Sequence, residues 1–390
     1  MDLFKGWRER KAEASRSRAL VALTGQGRAQ WTPRDYQHLA REGFAKNAIA
    51  YRCVRMIAEA AASVPLRVDC DGRHESAHPL AKLLEKPNAE QGGADLREAL
   101  YASLQTAGNA YVEASGGEDG PFELWVLRAD RVKVLPNTKG WPEAYEYKVG
   151  AQATHIGRDH EGWLKALHLK LWHPLDDWYG FSPLEAAAFS IDVHNASGAW
   201  NKALLDNAAR PSGALIYGSK ASERLSEEQF TRLKAELSEA HAGADNAGRP
   251  LLLEGGLDWK PMSLSPADMD FMEGKHAAAR DIALAFGVPA QLLGIPGDNA
   301  YSNYREANAA FWRHTVLPLV EKTTRSLSNW LEPKFAGARI IADVETLPAL
   351  STEREALWAR PEGASFLEGA EKRRLAGLSE VAECTEAAHG

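Results

Sequence analysis

The chain has 390 residues, 45% hydrophobic and 25% charged, with a formal net charge of −7. That length suffices for two or three domains and a sizeable core, and the ordinary composition excludes a chain disordered throughout. The acidic balance excludes a protein that wraps nucleic acid through a large basic face, though not one that lets DNA pass. Three cysteines, Cys53, Cys70 and Cys384, stand far apart with no CxxC pair. They suggest neither a disulfide framework nor a zinc site, and they fit a reducing compartment. No apolar run approaches the roughly 18 residues of a membrane span. The stretch MDLFKGWRERKAEASRSR lacks the apolar core of a signal peptide, so no membrane is expected as a partner.

Residues 1–30 read as a basic, solvated segment carrying Lys5, Arg8, Arg10, Lys11, Arg16 and Arg18. In KNAIAYRCVRMIAEAAASV, residues 46–64, Ile49, Cys53, Ile57, Ala61 and Val64 recur at helical spacing, and Pro65 stops the helix before the strand LRVDC. A second helix over 94–107 aligns Leu96, Leu100 and Leu104, and Gly108 and Asn109 end it before AYVEA. The stretches FELWVLRADRVKVLP, EAYEYKV and LKALHLKL read as strands separated by Pro or Gly. Residues 31–182 therefore form an α+β domain.

At Ser182 the character changes. Ser182, Pro183 and Glu185 supply an N-cap, an N1 proline and an early acidic residue for a long helix to about Asn207. A compact α/β insert follows over 211–262: the strand GALIY, a helix opened by Ser226 and Glu228, then PLLLE and LDWKPMSL. Ser265 and Pro266 repeat the start signal for a helix from Ala267 to about Phe286. Two long helices thus bracket a module of roughly fifty residues. A third runs from near Ser302 to Leu331 with Pro318 inside it, where the missing N–H predicts a kink. The strand ARIIADV and a helical tail complete the pattern.

The search for chemistry is mostly negative. GxxxxGK[ST] and HExxH are absent, and GQGRAQ at 25–30 lacks the third glycine of a dinucleotide fingerprint. The histidines from His155 to His173 fit no single face that would gather metal ligands, and Asp268 with Asp270 reads as first-turn complement to a helix dipole. No catalytic residue, metal or cofactor is expected. The loop between the second and third long helices, GVPAQLLGIPGDNAYSNYRE, has two readings: a phosphate site at a helix start, or a movable element on a channel wall. GIPGDN lacks the lysine and hydroxyl of a nucleotide site, which weakens the first. Twelve tryptophans would be core in a monomer, and aromatic enrichment also marks large buried interfaces, which adds weight to an obligate oligomer.

The order of NAIAYRCVRMIAEAAASVPLRV, GNAYVEA, YGFSPLEAA and AFGVPAQLLGIPGDNAYSNYRE resembles the portal proteins of long-tailed bacteriophages, across about residues 35–345. The modest length is similar to portals of prophage-derived particles such as gene transfer agents. The resemblance implies a dodecameric ring at one capsid vertex, in a virion or phage-like particle assembled in the bacterial cytoplasm. Within it, 31–182 would be the wing, 183–210 and 263–288 the stem helices, and 211–262 the clip. Residues 289–301 would be a tunnel loop, 302–345 the kinked helix and wing return, and 346–390 the crown and tail. Double-stranded DNA would pass the loop residues Gly294, Ile295, Pro296, Gly297, Asp298, Asn299, Ala300 and Tyr301. The clip, with Leu225, Phe230, Leu233, Leu237 and Trp259, would dock the large terminase and then the head-tail adaptor, and the major capsid protein would surround the ring. A ring adaptor without DNA passage and a phosphate-binding enzyme are the alternatives.

Overall fold

The computed structural model describes residues 31–70, 73–116, 123–206, 213–217, 257–261, 271–296 and 301–347, with a few positions near 226–232 and 368–371. The chain divides into Met1–Pro33 and Arg34–Gly390, and every element named here belongs to the second unit. After α1 (Tyr36–Leu39) and a π-turn over Ala40–Ala45, helix α2 spans Ala48–Ser63. Its start is set by Asn47, whose Oδ1 accepts from the N–H groups of Ile49 and Ala50 at 3.1 and 3.0 Å. Of the apolar stripe expected from spacing, Cys53, Ile57, Ala61 and Val64 are buried and Ile49 is half-buried, and Ala50, Val54 and Ala58 join them in the core. Burial holds the Cys53 thiol up at about 12, so it is protonated and inert.

Strand β1 (Leu66–Cys70) meets the short β2 (Arg73–His74) and leads to α3 (Pro79–Glu85) and α4 (Gly93–Ala107). Helix α3 begins under an unusual cap, the His78 ring accepting from the Leu80 N–H at 3.1 Å, which propensity rules do not flag. Gly108 ends α4 with φ of 70°, and a Cβ there would strike the backbone of Gly180. Strands β3 (Asn109–Ser115), β4 (Glu123–Leu127), β5 (Val132–Pro136), β6 (Pro142–Val149), β7 (Gln152–Ile156) and β8 (Ala166–Lys170) follow. They pair antiparallel as β4-β3-β8 and β5-β6-β7. Strand β7 escaped the sequence pattern because QATHI is mostly exposed and has no alternation to read.

The single helix expected from Ser182 is two: α5 (Pro183–Ala186) and α6 (Ala188–Asp206), parted at Ala187. The cap itself is as expected, with Ser182 Oγ accepting from Glu185 N–H at 3.0 Å. Strands β9 (Gly213–Tyr217) and β10 (Leu257–Pro261) pair with each other, and α7 covers Phe271–Ala285. The expected third helix is α8 (Tyr301–Phe311), a π-turn over Trp312–Val316, and α9 (Leu317–Leu331). The last strand, β11 (Ala338–Ala342), returns to β1 in the register Leu66↔Ala342, so that β1 lies between β11 and β2.

The main hydrophobic core joins α2, α4, α9 and β11, and a smaller one around Tyr111, Val134, Tyr145 and Ile156 lies under β5, β6 and β7. Tyr101 on α4 reaches Thr323 on α9, hydroxyl to hydroxyl at 2.9 Å. Trp163 and Trp330 stack at 5.1 Å, and each indole N–H donates to the other segment's backbone, at Trp330 and Leu164. Trp330 is thus buried and Trp163 packs half-buried against the core, whereas Trp141 and Trp172 are exposed.

Candidate functional site

Helices α6 and α7 lie side by side and run in opposite directions. Ser190 Oγ lies 3.4 Å from Asp281 Oδ2, and Asn201 Nδ2 lies 4.0 Å from Met272 Sδ. A residue early in α6 thus stands beside one late in α7, and the reverse. At the far end of this hairpin the β9/β10 ladder closes the insert, Gly213 opposite Pro261 and Tyr217 opposite Leu257. At the near end the hairpin is tied to the body. Asn47 Nδ2 donates to His194 Nδ1 at 3.1 Å and to Asn195 Oδ1 at 2.9 Å, and Asn195 donates to the Glu42 carbonyl at 2.9 Å. Burial, with Lys275 and His276 nearby, lowers the pKa of His194, which favours the neutral ring that this acceptor role requires.

The loop begins where α7 stops, and the stop is built from local chemistry. Gly287 has φ of 67°, its N–H donates to the Leu284 carbonyl, and the Val288 N–H donates back to Ala283 at 2.9 Å. This is the glycine-centred Schellman termination, with Val288 buried beyond it. A 3₁₀ turn over Ala290–Leu293 ends at Gly294, left-handed at φ of 69°. Ile295 then folds back onto Ala279 and Ala283.

That placement corrects one expectation. Ile295, expected on the loop's exposed rim, is buried and anchors the loop's root, because an isoleucine beside two alanines on a helix face gains more from burial than from water. Gly294 and Pro296 are exposed, whereas Gly297, Asp298, Asn299 and Ala300 lie outside the described residues, and Tyr301 opens α8. Of the insert's expected docking residues, Leu225, Phe230, Leu233 and Leu237 lie outside the described residues; Trp259 stands in β10 opposite Leu215.

A cation that sequence order hides also belongs to this site. The stretch 294–301 contains no basic residue, yet Arg280 on α7 donates to the Pro296 carbonyl. A groove of about 550 Å³ runs beside them, bounded by Glu273, Ala277, Arg280 and Pro296 among others. The spacing from Arg280 to Pro296 has meaning only once α7 ends and the chain doubles back.

On the other side, the loop's start is pinned to the third helix. Thr315 Oγ1 donates to the Gly287 carbonyl at 2.6 Å. Thr315 sits in the π-turn, where Leu317 N–H reaches back to Trp312, and Pro318 stands in the first turn of α9. Proline has no N–H to give to residue 314, so the change of pitch falls just ahead of it. Among the described residues, no group of three or more His, Cys, Asp or Glu could hold a metal ion, and no helix is long and apolar enough to cross a membrane.

The described residues thus comprise a body with three small sheets, an antiparallel helical hairpin that brackets the β9/β10 insert in the chain, and a loop rooted between hairpin and third helix. The family model described as phage portal protein matches residues 48–377, and the chain belongs to that family. It is similar, at 51% identity and TM-score 0.72, to a chain in the neck of an empty GTA particle computed with C6 symmetry, covering 93% of this chain and 99% of that one. The match to the neck of a native GTA particle computed with C12 symmetry has 50% identity and TM-score 0.69, with 93% and 99% covered. The portal protein of Enterobacteria phage HK97 is 25% identical over 303 residues, 75% of this chain and 69% of that protein.

Proposed function

We propose that this chain forms a ring of about twelve copies at one vertex of a phage-like particle of the gene transfer agent type, and that double-stranded DNA enters and leaves through its channel. The reading is non-enzymatic. The observation that carries it is the antiparallel α6/α7 hairpin, which has the β9/β10 insert at one end and the 287–301 loop at the other. The similarity to GTA necks supports the ring and its place in the particle. In this reading the hairpin is the stem, the insert is the clip that docks the large terminase and then the head-tail adaptor, and the body is the wing facing the major capsid protein. Residues 346–390 are the crown and tail.

The mechanism follows from electrostatics. Each Lys or Arg that neutralises a phosphate adds salt-dependent affinity, and in a channel affinity is friction. A chain of net charge −7 lines a duplex with repulsion. Asp298 and Asn299 meet DNA without a positive charge of their own, while Arg280 is engaged by the Pro296 carbonyl. The pitch change at 312–316 is where the long helix bends on its way back to the wing.

The test is DNA packaging with Asp298→Ala and Asn299→Ala together, and separately with 297–300 shortened. Reduced DNA content per particle is expected. Unchanged content and particle yield would remove the loop from the mechanism. Light scattering of the purified chain should give about twelve protomers; a monomer under all conditions would remove the ring.

A further inference from the structure

Two adjacent turns of the body hold large apolar side chains in water. The first joins β5 to β6, where Asn137 Oδ1 accepts from the N–H groups of Lys139 and Trp141 at 2.9 and 3.0 Å. The second follows β8. There His173 Nδ1 accepts from Leu175 N–H at 2.9 Å, and Asp176 Oδ1 accepts from Trp178 and Tyr179 N–H at 2.7 and 2.9 Å. Those backbone bonds hold the Asp176 carboxyl below its ordinary pKa. The Trp178 indole N–H ties the two turns together through the Gly140 carbonyl at 3.1 Å. What this bracing presents is Trp141, Trp172 and Leu175, which are 70%, 80% and 91% exposed. A partner would find them already ordered, which removes part of the entropic cost of binding, and an apolar cluster of this kind marks an interaction site.

The body also carries an open groove of about 760 Å³ between α9 and β11. Leu317 and Thr324 stand on the helix side, and Ile341, Ala342 and Val344 on the strand side. Ile341 and Val344 are more than one third exposed, apolar groups that the chain's own packing leaves in water. Among the described residues β11 is an edge, paired with β1 alone. Its outward Ile340 N–H is already taken by Ser328 Oγ at 3.1 Å, so the groove suits side chains rather than an added strand.

Helix α9 separates the groove from the braced turns. Lys322 Nζ donates to the Lys170 carbonyl at 2.7 Å, where the second turn begins. Ser328, six residues further on and therefore about 120° around the helix, meets β11 instead. One flank of α9 thus adjoins the apolar cluster and another adjoins the groove. Charge repeats the match. The carboxylate of Asp177, beside the cluster, and Arg339, on the groove, are exposed and make no ion pair among the described residues.

We propose that Trp172 and Leu175 of one protomer, flanked by Trp141, seat in the α9/β11 groove of a second copy, with Asp177 against Arg339. Both halves belong to this chain and each is unused within it, which makes a second copy the partner. The contact is heterologous: a row of protomers leaves one cluster and one groove unfilled at its ends, and closing the row into a ring fills every one. The inference rests on the ring reading and adds to it which surfaces meet.

The tests use the full chain after light scattering has shown that it forms a ring; absence of that ring counts against the ring reading itself, and this contact falls with it. In the first, Leu175→Cys and Ile341→Cys are made in separate chains, mixed, assembled and treated with a short bismaleimide. The expected product is a covalent dimer with one chain of each kind, absent from the parent protein, and a ladder of oligomers when both substitutions share one chain. A double variant that forms rings yet cross-links only within a chain, or not at all, overturns the contact. Maleimide labelling of Ile341→Cys alone tells the occupants apart: it should be rapid in the diluted protomer and slow in the ring. Protection in both would give the groove to the chain's own residues 348–390, and labelling in both would leave it for a different protein; either result overturns the proposal.

In the second test, Trp172→Ala should weaken each contact about thirtyfold or more, seen as a lower ring fraction at dilution with an unchanged melting temperature of the protomer. An unchanged ring fraction overturns the role of the cluster. Asp177→Arg and Arg339→Asp each place like charges together and should weaken the contact by up to about fivefold, and the double exchange should restore it. Restoration failing while both single variants impair assembly overturns the charge pair.

Discussion

The body and the loop root are held by opposite strategies. In the body, α2, α4 and α9 bury large side chains around one core, with Tyr101, Ile57, Leu100 and Leu331 fully enclosed. At the loop root the apolar anchors are smaller, with Val288 on the main core and Ile295 on Ala279 and Ala283, and two side chains hold backbone carbonyls: the Thr315 hydroxyl that of Gly287 and Arg280 that of Pro296. Burial of a large apolar side chain contributes about 1.5–3 kcal/mol and a net hydrogen bond about 1. The body is thus held by many large buried side chains, the loop root by smaller apolar contacts and side-chain bonds to carbonyls.

The comparison breaks first at its strong side. Ile57→Ala leaves a cavity between α2 and its neighbours and should cost about 2–5 kcal/mol of global stability, measured by chemical denaturation. Retained stability would mean that the α2 interface is not the centre of the core.

Acid acts on the body next, through His168. Its ring stacks on Tyr111 at 4.2 Å, its Nε2–H donates to Asn109 Oδ1 at 2.9 Å, and burial, with Lys170 nearby, holds its pKa at about 3. The unfolded chain binds the proton near pH 6.5 and the folded chain does not, so the stabilisation is complete above that pH. It is lost as pH falls from about 6.5 towards 3, by about 1.4 kcal/mol per unit for this group. Replacement by Phe should flatten that acid limb of a stability-against-pH curve while lowering the neutral plateau; an unchanged limb would exclude His168 as its source.

The weak side is sharpened by smaller effects. Thr315→Val removes the hydroxyl on the Gly287 carbonyl, worth about 1 kcal/mol, and should speed amide exchange near 287–296 about fivefold with core amides unaffected. Uniform acceleration would show that the loop root opens only when the whole chain unfolds. Pro318→Ala returns a donor to the helix and also frees the unfolded chain, two effects of about 1 kcal/mol or less and opposite sign. Global stability should barely move, while a crystal structure of the variant should show α-helical hydrogen bonding replacing the π-turn at 312–316.

Much of the fold was legible because its signals are local. The α2 stripe, the Ser182–Pro183–Glu185 start and the Pro318 disruption each involve residues within one or two helical turns, and backbone sterics and capping act over that range. Helix α3 and strand β7 were missed for the same reason: a histidine cap and an exposed strand leave no periodic mark. At the site, sequence alone located the loop between two helices and the glycines that bound it. It could not show that Ile295 turns inward or that Arg280 stands beside Pro296, since both depend on the chain reversing after Gly287.

The sequence by itself determined the element order, the bracketing of an insert by two long helices, and the absence of basic charge within 294–301. It did so because periodicity, caps and composition are properties of neighbours along the chain. Only the tertiary structure decided that α6 and α7 run antiparallel in a fixed register, that β11 returns to β1, and that Thr315 and Arg280 hold the loop's two sides. Those facts join residues from 16 to more than 250 positions apart. Their partners are selected by packing of the whole core rather than by any local preference.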